Sequence, residues 1–441
     1  MLKFVINFTL ILPLLLVFLP LLLVMIFKHP LELFIPFIPV LSQISIIIII
    51  TPKFFTPLGA PSLKYNILHV KTIRDKVIFA GTGEDSGQGQ DNILYAINAD
   101  GSQRFIIEVN EDIMTSPSFL NYNGNQYIFF GANDSLIYAV DTNGNALSGW
   151  PVSVNGSIGG SVVFSDLDGD GDADLVLALE WGPIKVLRND SGKFTDATRE
   201  LGLDSYKGWW NSVTLGDLDT DGRLDIIAGN WGLNSKYEHS YSDKEPLRMA
   251  YGDFDKNGVM DIVEYHFDKL TKKMVPERGR SCSVNAMPFI GKRNETFHLF
   301  GSRSLEEVYG TCLKEGTVLE ANTLQHTIFL NRDGKFEARP LPAEAQFAPV
   351  FGINVADFNG DGHEDVFVAQ NFFASQTETP RCDGGRGLFM LGDGKGGLES
   401  IDGRESGLKI YGEQRGSAVA DFNQDGRPDL VVTQNGSFTR L

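Results

Sequence analysis

Cysteine is scarce in this chain: three in 441 residues, Cys282, Cys312 and Cys382. An odd number allows at most one internal disulfide, with Cys282–Cys312 the pair placed to staple one segment, so the fold cannot rest on a cystine framework. Basic residues are outnumbered, 38 Lys and Arg against 56 Asp and Glu, for a net charge of −18. No basic patch interrupts that balance, which argues against a nucleic-acid partner because phosphate binding needs a cationic face. Enzyme signatures are missing as well. There is no zinc-protease helix motif, no P-loop and no Gly-x-Ser-x-Gly elbow. The segment Gly81-Thr-Gly-Glu-Asp-Ser-Gly87 is glycine-rich, but a hairpin tip explains it better than a phosphate cradle.

What the chain has instead is a repeated acidic stretch. Asp166-Leu-Asp168-Gly-Asp170-Gly-Asp172-Ala-Asp174 carries five carboxylates in nine residues. The spacing recurs as Asp217, Asp219, Asp221 and Asp225, then as Asp253, Asp255, Asn257 and Asp261. It returns as Asp357, Asn359, Asp361 and Asp365, and as Asp421, Asn423, Asp425 and Asp429. Every copy has an oxygen side chain at positions 1, 3, 5 and 9 and a glycine at position 6. A hard cation such as calcium takes six to eight oxygens, and a short loop wraps it by presenting alternate side chains and turning at a glycine. Position 7 then offers only its backbone carbonyl, so it is free to vary as Asp172, Arg223, Val259, His363 or Arg427. About five calcium sites are expected. They are not EF-hands, because short apolar, β-prone runs such as Leu175-Val-Leu-Ala-Leu179 flank them and no bidentate Glu stands at position 12.

Residues 1–55 stand apart. Residues 4–27 have no charged side chain and are long enough to span a bilayer; a second apolar stretch, 31–50, contains Glu32 and two prolines. With no small-residue cleavage site, an uncleaved signal-anchor is expected. One span leaves the main domain outside the cell and a hairpin returns it to the cytoplasm. Calcium sites, which are filled outside cells, favour an extracellular or periplasmic domain, with secretion as the alternative.

From residue 62 the chain reads as all-β. The stretches Ile93-Leu-Tyr-Ala-Ile-Asn and Leu136-Ile-Tyr-Ala-Val-Asp form an internal repeat about 43 residues apart, a propeller-blade period. Counting units gives seven, at 66–108, 112–153, 157–195, 211–240, 248–340, 350–400 and 413–441, hence a seven-bladed β-propeller over 62–441. The fifth unit carries an insertion at about 268–325, with a short helix at Ser304–Tyr309. The seventh is short, closed by a strand from 60–72 or left with an open edge.

The five loops between strands resemble the FG-GAP/VCBS repeats of integrin-α-type propellers. Gly208-Trp-Trp-Asn-Ser212, Gly229-Asn-Trp-Gly-Leu-Asn-Ser235 and Pro340-Leu-Pro-Ala-Glu-Ala-Gln-Phe347 are similar to bacterial VCBS proteins of the ASPIC/UnbV group, related to cartilage acidic proteins. Residues 62–153 resemble quinoprotein-like blades instead. The chain departs from the group in its N-terminal hydrophobic segment and in lacking an ASPIC/UnbV-like stretch before Leu441. The resemblance implies a calcium-stabilised surface propeller used in adhesion or assembly, binding a protein or glycan without catalysis. The alternative is a propeller enzyme, quinone-dependent or polysaccharide-acting. Trp181, Trp209, Trp210 and Trp231 serve either packing between blades or an aromatic platform.

Overall fold

A computed structural model describes residues 67–72, 78–82, 92–98 and 102–441, apart from 114, 123, 333 and 376–378. The hydrophobic segment 1–55 lies outside the described residues. Among those described, no helix is long and apolar enough to cross a membrane.

The described chain is built from antiparallel sheets whose strands mostly follow one another in sequence. The first sheet holds Ile67–Thr72, Ile78–Thr82, Ile93–Ile97 and Gln103–Glu108. The second holds Ser118–Tyr122, Asn125–Gly131, Leu136–Asp141 and Val152–Ser153. The third runs Val163–Ser165, Asp174–Gly182, Ile184–Asp190 and Lys193–Asp196, with two short strands, Ser157–Ile158 and Gly208–Trp209, pairing on Asp174–Gly182.

The fourth sheet breaks the sequential rule. Its strands are Ser212–Gly216, Asp225–Gly229, Thr327–Asn331 and Phe336–Pro340, with Ile226 opposite Phe329 and Ala228 opposite Thr327. Everything between is an insertion with its own four-stranded sheet, ordered Lys273–Pro276, Asp261–Asp268, Leu247–Gly252, Thr317–Ala321. Four short helices complete it: α1 (Arg280–Ala286), α2 (Phe289–Arg293), α3 (Phe297–Ser302) and α4 (Leu305–Tyr309). The expected helix near Ser304 is α4, and Ser304 and Glu307 close a capping box at its start. The fifth sheet holds Val350–Ala356, Asp365–Gln370, Leu388–Gly392 and Leu398–Ile401; the sixth holds Glu413–Ala420 and Asp429–Asn435.

The described residues form seven sheets, but these are not the seven units expected. The units expected at 211–240 and 248–340 are one blade, 212–340, interrupted by a whole sheet, and the insertion is larger than 268–325. Residues 67–72 pair with 78–82 in the first sheet rather than closing the last one. Beyond its two strands, the sixth sheet gains a single bridge between Val432 and Arg440. The expected Cys282–Cys312 staple does not form, and no disulfide joins the three cysteines.

Packing follows strand periodicity. Successive side chains point to opposite faces, so alternate residues of one strand meet the sheet before and the sheet after. In the fourth sheet Ile226 and Ala228 pack with Val176 and Ala178 of the third. Their neighbour Ile227 packs with Val366 and Val368 of the fifth. Leu175, Leu177 and Leu179 turn instead toward Phe129 and Ile137 of the second sheet. Phe367 and Ala369 reach Val432 of the sixth. These strands are near-continuous apolar runs because both faces are buried. This face-to-face succession of antiparallel meanders is the architecture of a β-propeller. The inserted sheet has a separate core, in which Ala250, Phe254 and Val263 pack on Ile290, Phe300 and Val308 of the helices and on Met287 between the first two.

Candidate functional site

The five acidic loops share one backbone. Each joins the first and second strands of its sheet, and position 9 opens the second strand in every copy: Asp174, Asp225, Asp261, Asp365 and Asp429. The paired residues that bracket the loops are equivalent too, Ser165 with Asp174, Gly216 with Asp225, Gly252 with Asp261, Ala356 with Asp365 and Ala420 with Asp429. Position 6 is a glycine in the left-handed region, φ 82–93° across Gly171, Gly222, Gly258, Gly362 and Gly426. Its N–H donates to the position-1 carboxylate in all five, at 2.9–3.0 Å.

Position 5 accepts a bond from the position-7 N–H in every copy, from Asp170, Asp221, Asn257, Asp361 and Asp425, at 2.7–2.9 Å. The position-7 side chains then go different ways, and the Arg223 guanidinium turns back onto the position-5 carboxylate Asp221. Asp172 accepts from the Ser191 N–H and the Tyr122 hydroxyl, Arg223 reaches the Asn331 carbonyl, and Val259 is 63% exposed.

The carboxylates converge. One oxygen each from Asp166, Asp168 and Asp170 lie within 4.8 Å of one another, and the same holds for Asp217, Asp219 and Asp225 and for Asp253, Asp255 and Asp261. Two position-3 oxygens, Asp219 Oδ1 and Asp255 Oδ1, are buried without a hydrogen-bond partner. Buried like charges with orphaned acceptors cost free energy unless a cation meets them, so the donor set fits a hard divalent ion. The other two loops place Asn359 and Asn423 at position 3, whose amides donate to Asp361 at 2.9 Å and Asp425 at 3.1 Å.

Position 9 does structural work that its spacing did not reveal. Asp225 accepts from the Leu218 N–H at 3.0 Å and the Asn331 N–H at 2.8 Å, joining its loop to the third strand. Asp174 does the same with Leu167 and Asn189, and Asp365 with Phe358 and Gly392. Burial pushes the Asp225 carboxyl up to about 6, against the pull of its backbone bonds and with help from Asp219 and Asp221.

Arginines intrude on two loops. Arg188 Nε lies 3.0 Å from Asp168, and the Arg332 guanidinium contacts both Asp219 and Asp221. Among the described residues, none of the carboxylates Asp253, Asp255 and Asp261 has such a cation.

A second site lies at the centre. A cavity of about 1380 Å³ is lined by the second to sixth sheets and by Glu264 and Arg278 of the insertion. No residue of the five acidic loops lines it. One wall is aromatic: Trp209 and Trp231 stack at 4.1 Å and Phe372 lies 5.3 Å from Trp231, with Trp181 buried behind the wall, 5.4 Å from Trp209. Trp210 is different, fully buried between the third and fourth sheets with its indole N–H on the Tyr206 carbonyl. The tryptophans thus divide between packing and wall.

The motifs 208–212, 229–235 and 340–347 meet where the insertion leaves and rejoins the fourth sheet. The Asn230 N–H donates to His326 Nδ1 at 2.8 Å, and the Asn230 side-chain oxygen accepts from the Trp209 and Trp231 N–H groups. The Gln346 amide brackets the His326 backbone, accepting at 2.9 Å and donating at 3.1 Å. His326 is fully buried and bonds the Ala348 carbonyl through Nε2, and desolvation holds its pKa down at about 4. These motifs root the insertion and orient the tryptophan wall.

The acidic loops have known relatives. Residues 166–228 match an FG-GAP-like repeat, which spans the first two loops. No curated protein matches the chain. Among solved structures, BamB from Moraxella catarrhalis is similar at 12% identity and a TM-score of 0.34, covering 85% of this chain and 82% of that one. BBS1N in complex with ARL6DN, soaked with mercury, is similar at 13% identity and a TM-score of 0.25 over 36% of this chain. That match spans less than half of the BBS1N chain, 45%.

Proposed function

We propose that this chain is a calcium-clamped β-propeller that binds a protein or glycan partner in its central funnel without transforming it. Five sheets, the second to the sixth, line the funnel as blades, and the insertion adds Glu264 and Arg278 to its wall. The N-terminal hydrophobic segment holds the domain at the cell surface, where calcium is plentiful. The observation that carries the reading is the separation of roles. Five equivalent loops bind their own backbones and stand clear of the funnel, while the funnel wall combines indole faces with amide and hydroxyl groups from several sheets. Calcium bound to the folded state alone stabilises it by RT ln(1 + [Ca]/Kd) per site.

Thermal melts of the full chain in calcium and in chelator test the clamp; a rise of several degrees in calcium is expected, and identical midpoints overturn it. Titration of a glycan and peptide panel, followed by tryptophan emission, tests the funnel. An unchanged spectrum throughout overturns that part.

A further inference from the structure

The funnel contains one charge that the protein leaves unanswered. Glu180 stands near the inner end of Asp174–Gly182, in register with Ser157 on one side and Trp209 on the other, and it lines the cavity. The Trp209 side chain donates to it, and burial raises its carboxyl above the usual range. Among the described residues it has no ion-pair partner. The other charges of the funnel are answered. Lys236 and Arg278 lie 3.4 and 3.3 Å from Glu264, which also accepts from the Tyr237 hydroxyl at 2.8 Å. Arg415 pairs with Glu413 and lies over Phe351 at 3.9 Å. Glu238 and Arg381 are exposed to water, Arg381 over the Phe373 ring at 4.2 Å.

A partly buried carboxylate, without a counter-ion and beside π-faces, is the arrangement that receives a cationic nitrogen. Trp209 and Trp231 supply the faces, since ammonium groups are attracted to the negative face of an indole ring. The same cavity presents Asn133, Asn211, Ser157 and Thr433, groups that pair with hydroxyls. Its volume of about 1380 Å³ exceeds that of a site for one small ring. Resting on the reading of the funnel as a ligand site, we propose that the ligand is an oligosaccharide of cationic amino sugars, with Glu180 as counter-ion and the tryptophan stack as platform.

The test compares two probes with the full chain in calcium: a glucosamine hexamer and its fully N-acetylated counterpart, which has the same backbone without the charges. Titration calorimetry and tryptophan emission should show the glucosamine hexamer binding at least about tenfold more tightly, in keeping with one ion pair plus a cation–π contact. Glu180→Gln keeps the shape and the Trp209 bond, so it should melt like the parent and bring the two affinities within about threefold. Trp231→Ala should weaken both hexamers, the glucosamine hexamer more, because it loses a cation–π contact as well as the stacking platform. Equal or tighter binding of the acetylated hexamer, or a preference that survives Glu180→Gln, overturns the amino-sugar assignment and leaves the funnel reading standing. Binding of neither hexamer overturns the assignment, and failure of the wider glycan and peptide panel as well removes the funnel reading with it.

Discussion

The loops 217–225 and 253–261 carry nearly the same side chains on the same backbone, yet they sit in different surroundings. The first belongs to the fourth sheet, where Asp225 ties two neighbouring strands and Arg332 contacts Asp219 and Asp221. The second belongs to the insertion. There Asp261 accepts from Phe254 at 3.0 Å, and no arginine or lysine among the described residues meets its carboxylates. Asp219 is nine-tenths buried, whereas Val259 and Met260 leave the other loop's rim in water at 63% and 62% exposure. A shared motif therefore specifies a shape, and the neighbours decide how much that shape depends on a cation. The loop with a built-in guanidinium has a substitute counter-charge; the other has none among the described residues.

The largest expected effect comes from the strand tie. Asp225→Ala leaves two buried backbone N–H groups without acceptors, at about 1–3 kcal/mol each, so urea denaturation should show a loss of about 2–6 kcal/mol. Asp261→Ala should cost less than half as much in chelator, and equal losses would erase the contrast. Next is calcium itself. At a hundredfold excess over Kd it should slow hydrogen exchange across 247–268 by about 2.7 kcal/mol, and Asp253→Ala should abolish that protection while leaving 212–229 unaffected.

A third effect is the slope of stability with pH in chelator. The raised Asp225 carboxyl contributes stability that is present below its ordinary value of 3.8 and is lost as pH rises through about 6. The depressed His326 contributes in the opposite sense, present above 6.5 and lost as pH falls toward about 4. The two offset each other in the parent. Asp225→Asn should uncover the histidine slope, with stability rising from pH 4 to 6.5, and an unchanged profile counts against both assignments. The smallest effect is Arg332→Met, which should tighten calcium at the first loop by about tenfold or less and make it behave like the second. Calorimetry resolves that change.

Much of this was legible in the sequence, for identifiable reasons. The loops announced themselves because their ligand spacing is local chemistry. Their second left-handed residue did not: position 4 has positive φ in all five copies, yet it is Gly169, Thr220, Lys256, Gly360 and Gln424. The shape imposes that conformation; the residue type does not reveal it. The start of the insertion was hidden for the converse reason. Its first hairpin has the same apolar strands and acidic loop as a blade, so local pattern cannot distinguish them. What separates them is Ile226 pairing with Phe329 across a hundred residues, and nothing near either residue advertises it. Glu180 was equally obscure, since at the end of an apolar strand it reads as the exit to water.

The pairing of Ala228 with Thr327 has one more consequence. The insertion departs and returns at neighbouring points on adjacent strands, as the two ends of a hairpin turn do. In engineering terms the fourth blade is a socket. A short turn in place of 230–326 should yield a continuous four-stranded blade, and a different cargo could be seated there without disturbing the register of the strands on either side.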